Sequence, residues 1–244
     1  WDIHGFARRQ QQRYGEISKL NVFFDKALMM LGPHANEFVL LNKDQVFSNG
    51  LGYGPYLKHL FNGGLMLRDF DEHRLHRRIM QTAFKSQAMN GYMDMMLPLI
   101  EQHVESWQHQ KPFYFFPAIQ VLTLDLATKA FVGEAAGPQA DKLAHAFEQV
   151  VSAISAVVRV PIRGLKLGNA VHSRRLLTDY FRSRIAARRN GEGNDLFSQM
   201  CKARSEQGEA FTDDEIIDHM IFLVFAAHDT TTCAMTTMLC GLAQ

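Results

Sequence analysis

The chain has 244 residues, 47% of them hydrophobic and 21% charged, with a formal net charge of +1. That apolar content excludes a disordered chain, and 17 Gly with 7 Pro exclude a collagen-like or linker-like one. The near-zero charge speaks against a dedicated nucleic-acid binder, and the length allows one or two domains with a sizeable core.

Residues 1–14, with Arg8, Arg9, Gln10, Gln11 and Gln12, predict a polar surface helix. Ile17 to Phe24 partly alternates, and Asp25-Lys26 can turn it back into Ala27 to Leu31 as a hairpin. Gly32-Pro33 reads as a stop and then a helix start, with Pro at the first helical position. Gly50 to Gly64 reads as an irregular aromatic loop with room for one short helix.

From Asp71 the pattern turns helical, and Tyr92, Met96, Leu99 and Trp107 keep helix spacing. Residues 112–116 suggest a short strand. Ile119, Leu122, Leu126 and Ala130 mark another helix, closed by Gly133. Two long helices, at 138–158 and 170–190, flank a break at Pro161, Gly164 and Gly168. A shorter helix opens at Asn194 and fades at Gly208.

Thr212-Asp213-Asp214-Glu215 fits a capping box, with acids at the positive end of the helix dipole. Nothing breaks the helix from there to Gly241, so roughly 30 residues would extend about 45 Å. The expectation is a mainly α fold with a small β-sheet, in a single domain over 1–244.

Cys201, Cys233 and Cys240 are few, odd in number and without metal-type spacing, which points to a reducing compartment. All three are expected to be structural, with Cys233 and Cys240 in apolar surroundings. No run of about 18 uninterrupted apolar residues predicts a membrane span. The start, Trp1-Asp2-Ile3-His4, lacks Met and a signal-peptide layout, so it is not expected to be the natural start.

Two stretches could carry chemistry. In the long last helix, Ile221 to Ala227 is apolar almost all round, and Asp229-Thr230-Thr231-Thr232 follows. A buried carboxylate without a partner is costly, Thr hydroxyls can bond back one turn, and Ala226 and Ala227 leave a notch beside the backbone. Such a notch could handle a small ligand and its protons. A salt-bridged Asp with Thr packed between helices is the alternative. Earlier, Asp71 to Arg78 opens a helix on which His73 and Arg77 share a face and could clamp a carboxylate. A solvated basic face is the alternative there. His73 and His76 are three apart, but no third metal ligand follows at useful spacing.

Together these stretches resemble the cytochrome P450 family of haem-thiolate monooxygenases. Glu72 to Phe84, with its His-x-x-x-Arg pair and following Ala-Phe, is similar to that family's C helix. Asn194-Asp195-Leu196-Phe197 through Gly208 to Ile216 is similar to its H helix and the entry to its I helix. Ala226-Ala227-His228-Asp229-Thr230-Thr231 resembles its oxygen-activation motif, with Ala227 where the family usually has Gly. The three occur in the family's order.

The resemblance implies a P450-like fold carrying heme b and inserting one oxygen atom of dioxygen into a lipophilic small molecule. It implies Asp229 as a proton relay and Thr230 as the hydroxyl beside the oxygen site. It implies His73 and Arg77 at the haem propionates, with Phe84, Ala226 and Ala227 as further haem contacts. Tyr53, Tyr56, Phe61, Leu65, Met66, Phe222 and Phe225 are the expected substrate contacts, together with residues around Val157 to Ile162. Arg74, Arg78 and Lys85 could face an electron-donor protein, a ferredoxin or reductase. None of the three cysteines matches the ligand position, so the chain is expected to be the first half of such an enzyme and inactive alone. A soluble, cytoplasmic, bacterial-type enzyme is expected. The alternative is a non-catalytic helical ligand-binding or scaffold protein.

Overall fold

The computed structural model describes residues 2–22, 25–108, 112–134 and 137–243. Packing groups the chain into two units, Trp1–Ser48 and Asn49–Gln244.

In the first unit, α1 (Ile3–Tyr14) begins where the Asp2 carboxylate accepts the Gly5 N–H at 2.7 Å. Strands β1 (Ile17–Val22) and β2 (Asp25–Met30) pair antiparallel, from Ile17 opposite Met30 to Val22 opposite Asp25. Asp25 and Lys26 therefore belong to the second strand rather than to the turn, and Phe23 and Phe24 lie outside the described residues. Helix α2 (Pro33–Leu41) starts on its proline and ends on Asn42 in the left-handed region, whose amide bonds both the N–H and the C=O of Phe47.

The second unit opens with α3 (Asn49–Phe61), a helix of 13 residues where the sequence predicts an irregular aromatic loop with room for one short helix. Leu57, Leu60 and Phe61 form its buried stripe. Its first turn is capped from a distance: the Asp69 carboxylate accepts the N–H groups of Asn49 (2.6 Å) and Gly50 (3.1 Å). A cap twenty residues away leaves no local signature, and the glycines and Pro55 mask the helix.

A 3-10 turn at Leu65–Leu67 leads into α4 (Phe70–Gln81). A second 3-10 turn, Thr82–Phe84, and an extended Lys85 separate α4 from α5 (Ser86–Trp107), a break the helical pattern hides. Residues 112–114 lead into α6 (Phe115–Ala127) and are not a strand. Phe113 and Phe115 pack instead around Trp107, with ring centroids 5.6 and 6.3 Å away. A π-turn, Thr128–Val132, ends this run at Gly133, which has φ +77°.

Then come α7 (Pro138–Ser152), α8 (Lys166–Asn190), α9 (Leu196–Lys202) and α10 (Asp213–Leu242). Helix α7 ends earlier than expected, in a 3-10 turn at Ala153–Ser155, and α8 starts earlier. Helix α9 starts on Asp195 rather than Asn194 and stops at Lys202. Helix α10 has the expected length and the reciprocal Thr212–Glu215 capping box. It packs on α6 and α8, and its Ile216, Ile217, Met220, Ile221 and Val224 enter the core.

Phe115–Val132 is apolar and long enough by composition to cross a membrane. It packs along α10, with Ile119, Leu122, Leu124, Ala127, Ala130 and Val132 buried, as in a core helix.

The α8–α9 joint is held by one carboxylate. Asp195, 4% exposed, accepts from the Ser198 N–H (3.0 Å) and hydroxyl (2.8 Å) and pairs with Arg188. Arg188 also donates to the Val132 carbonyl at 3.1 Å. A Cβ on Gly133 would stand 2.7 Å from the Asp195 carboxylate, so glycine is required by space as well as by φ. Asp195→Ala leaves the guanidinium without its counter-charge and should cost about 3–5 kcal/mol. Thermal unfolding should show a fall on the order of 10 °C. A fall of a degree or two would contradict this account.

Candidate active site

Helix α4 carries the first group of site residues. On it His73 is half-buried and Arg77 exposed, and among the described residues neither has a carboxylate partner. Arg74, Arg78 and Lys85 are exposed, with Arg74 paired to Asp71 on its own helix. His76, by contrast, is buried and turned inward. Its Nδ1 lies 2.8 Å from Nε2 of His219 on α10, and its Nε2 lies 3.3 Å from the Glu215 carboxylate. His76 thus meets His219 rather than standing beside His73.

The contact with His219 lies ten residues before Asp229, about 15 Å along the helix. There Ala226 and Ala227 are half-buried, as a notch requires. Thr230 is exposed and donates its hydroxyl to the Ala226 carbonyl at 2.5 Å, the back-bond that the sequence suggests. Asp229 has its partner next door: His228 Nδ1 lies 3.2 Å from its Oδ1. His228 is buried, and its Nε2 is 3.2 Å from the Gln120 carbonyl on α6. Thr232 is buried and meets the Thr123 hydroxyl at 2.7 Å. His228, Gln120 and Thr123 are absent from the sequence-based site. Only the position of His228 inside the motif could have signalled it.

Two cavities flank this stretch of α10. An apolar one of about 250 Å³ is lined by Phe84, Met89, Tyr92, Met96, Ala227 and Thr231, among others. It joins Phe84, just after α4, to the notch. The other, of about 320 Å³, lies among α6, α7 and α10 and is lined by Gln120, Glu148, Ser152, Phe225, His228 and Asp229 among others. Ala227 and Asp229 are two residues, or about 200°, apart on the helix, so they line different cavities.

The aromatic set divides. Phe61 is fully buried, stacked on Phe225 at 4.8 Å and edge-on to Phe222 at 6.3 Å, so it is a core ring with no free face. Leu65 and Met66 are half-buried against the same core. Tyr53 and Tyr56 are exposed on α3, with the Arg159 guanidinium 4.9 Å over the Tyr56 ring. Val157, Val158, Val160 and Ile162 are exposed.

Cys233 and Cys240 are exposed rather than enclosed, in company with Met235, Met238, Leu239 and Leu242. Here α10 is apolar on sides that no described residue covers. Cys201 is buried, and burial pushes its thiol up to about 12, which keeps it inert.

Burial, with the nearby His76 and Arg68, lowers the pKa of His219 from 6.5 to about 3. Burial and Arg68 lower that of His76 too, against the pull of Glu215 and Glu72. Between pH 6.5 and 3 the unfolded chain takes up a proton that folded His219 refuses. Its contribution to stability is complete above 6.5 and is lost as the pH falls toward 3, up to about 5 kcal/mol. The urea midpoint should fall between pH 7 and pH 4.5, and fall less in His219→Phe. An equal fall in both would contradict the assignment.

A family model described as Cytochrome P450 matches residues 2–244. The chain is 37% identical over 231 residues to cytochrome P450 136 of Mycobacterium tuberculosis, covering 91% of this chain and 47% of that protein. It is 24% identical over 236 residues to the beta-amyrin 28-monooxygenase of Kalopanax septemlobus, covering 93% and 48%. The solved structure of retinoic acid-bound cyanobacterial CYP120A1 shares the fold, with a TM-score of 0.79 at 23% identity over 96% of this chain and 54% of that one. The chain thus spans about half the length of the curated relatives it matches. With a family match over essentially its whole length, the chain belongs to the cytochrome P450 family.

Proposed function

We propose that this chain, residues 1–244, is the N-terminal portion of a single P450 domain. In the full-length protein that domain hydroxylates a lipophilic small molecule at the expense of dioxygen. Members of the family carry haem b. The observation that carries the reading is the apolar cavity shared by Phe84, after α4, and by Ala227 and Thr231 on α10.

The residues present fit the cofactor. Arg77 is an exposed guanidinium with no carboxylate partner among the described residues, and His73 stands on the same flank. Both are donors suited to a propionate. Phe84, Ala226 and Ala227 supply apolar wall and close backbone approach. The bound haem would supply the oxygen chemistry, with its thiolate ligand outside these residues.

The chain's own part is proton handling and exclusion of water. Thr230 already holds its hydroxyl on the exposed side of α10. Rotation about its side-chain bond releases the O–H from the Ala226 carbonyl for a new acceptor. Asp229 is held by His228 and lines a cavity with Glu148 and Ser152, so its carboxylate can take protons arriving there and pass them toward Thr230 Oγ1.

Phe222 and Phe225, backed by Phe61, Leu65 and Met66, would present an apolar surface to substrate, with Tyr53 and Tyr56 at its outer edge. A relative named for beta-amyrin and a neighbour bound to retinoic acid support an apolar ligand. Arg74, Arg78 and Lys85 would meet an acidic electron-donor protein. A soluble cytoplasmic enzyme is proposed, supported by the bacterial source of the more identical of these two curated relatives.

In the full-length enzyme, Thr230→Ala should uncouple oxygen consumption from hydroxylation, lowering product per oxygen severalfold while peroxide rises. Unchanged coupling would remove Thr230 from the reaction.

A further inference from the structure

Helix α4 buries only His76, Ile79 and Met80. Ile79 and Met80, with half-buried Leu75, hold it against the core but tolerate sliding and rotation, whereas a hydrogen bond is directional. His76 supplies that bond, and the direction of the bond can be deduced. Its Nε2 faces the Glu215 carboxylate, an acceptor, so Nε2 carries the proton. In that tautomer Nδ1 accepts, and the hydrogen-bond partner it has among the described residues is His219 Nε2, which then donates. That leaves Nδ1 of His219 bare, in agreement with its being buried without a hydrogen-bond partner among the described residues.

Glu215, His76 and His219 thus form one buried row, a 3.3 Å charge contact followed by a 2.8 Å hydrogen bond, and the carboxylate favours the tautomer of His76 with its proton on Nε2. Phe211 packs against both rings, with centroids 5.2 and 4.8 Å away. Glu215 is itself fixed, because it closes the α10 capping box on the Thr212 N–H at 2.8 Å.

On α4, Arg77 stands about 100° and His73 about 60° from His76, on the same side. At a side-chain radius of about 5–6 Å, a 20° turn of the helix moves both tips by about 2 Å. That exceeds the tolerance of a hydrogen bond to a fixed acceptor.

We propose that His76 and His219 are positioning residues, whose bond sets the rotation of α4 and so aims His73 and Arg77 at the haem propionates. The inference rests on the propionate reading above.

Two measurements test it on the full-length protein. Nitrogen-15 NMR of its histidines at pH 7 should find both rings neutral and protonated on Nε2. A His76 ring protonated on Nδ1 would overturn the proposal without any substitution. Hemin titration of the apo protein should then show His219→Phe binding about tenfold more weakly. His219→Gln, whose amide can still donate to His76, should return to within about twofold of the parent. Weak binding by Phe and Gln variants alike, or by neither while Arg77→Ala binds weakly, overturns the positioning role alone. Unchanged hemin affinity in Arg77→Ala overturns the propionate reading beneath it.

Discussion

A single 30-residue helix sets the frame of the larger unit. The first turns of α10 carry Glu215 and His219, which both meet His76 on α4, and Asp218, which meets Gly63 and Arg174. Its middle carries Ala226 to Thr232, which border the two cavities. Because an α-helix is stiff and its rise is fixed, anchoring the first set places the second. The capping box makes this possible by satisfying the donors of the first turn and so fixing where the helix begins.

The anchors are polar and buried, and their role is direction. Asp218 accepts the Gly63 N–H at 2.9 Å and pairs with Arg174, which reaches the Leu60 carbonyl at 3.1 Å. This clasp joins the end of α3 to α8 and α10. Burial raises the Asp218 pKa against the opposing pull of Arg174 and the Gly63 N–H. Such pairs add little net stability over well-packed apolar groups, yet breaking one is expensive. Here each pair fixes a register that Leu and Ile contacts alone would leave loose. The same holds for Asp195 with Arg188 and for His76 with His219.

What the sequence revealed was what is local. The hairpin, the Pro33 start, the cap and length of α10 and the shared face of His73 and Arg77 all follow from spacing within a few residues. The misses were long-range. The cap of α3 comes from Asp69, the break after α4 is met by the Tyr92 hydroxyl donating to the Ala83 carbonyl, and the partner of His76 lies 143 residues away. Cys233 and Cys240 looked buried because an apolar helix usually is, whereas no described residue covers that end of α10. The candidate site was legible as a list of residue types. Its division between two cavities was not, because which side chain faces which neighbour depends on how α6 and α7 dock.

The central claim is that the α4 flank and the α10 notch border one haem. It is tested most directly by the visible absorption spectrum of the full-length protein, reduced and then exposed to carbon monoxide. The account predicts one haem per chain with the carbon monoxide band of thiolate-ligated iron. A colourless, folded protein that takes up no hemin would contradict it.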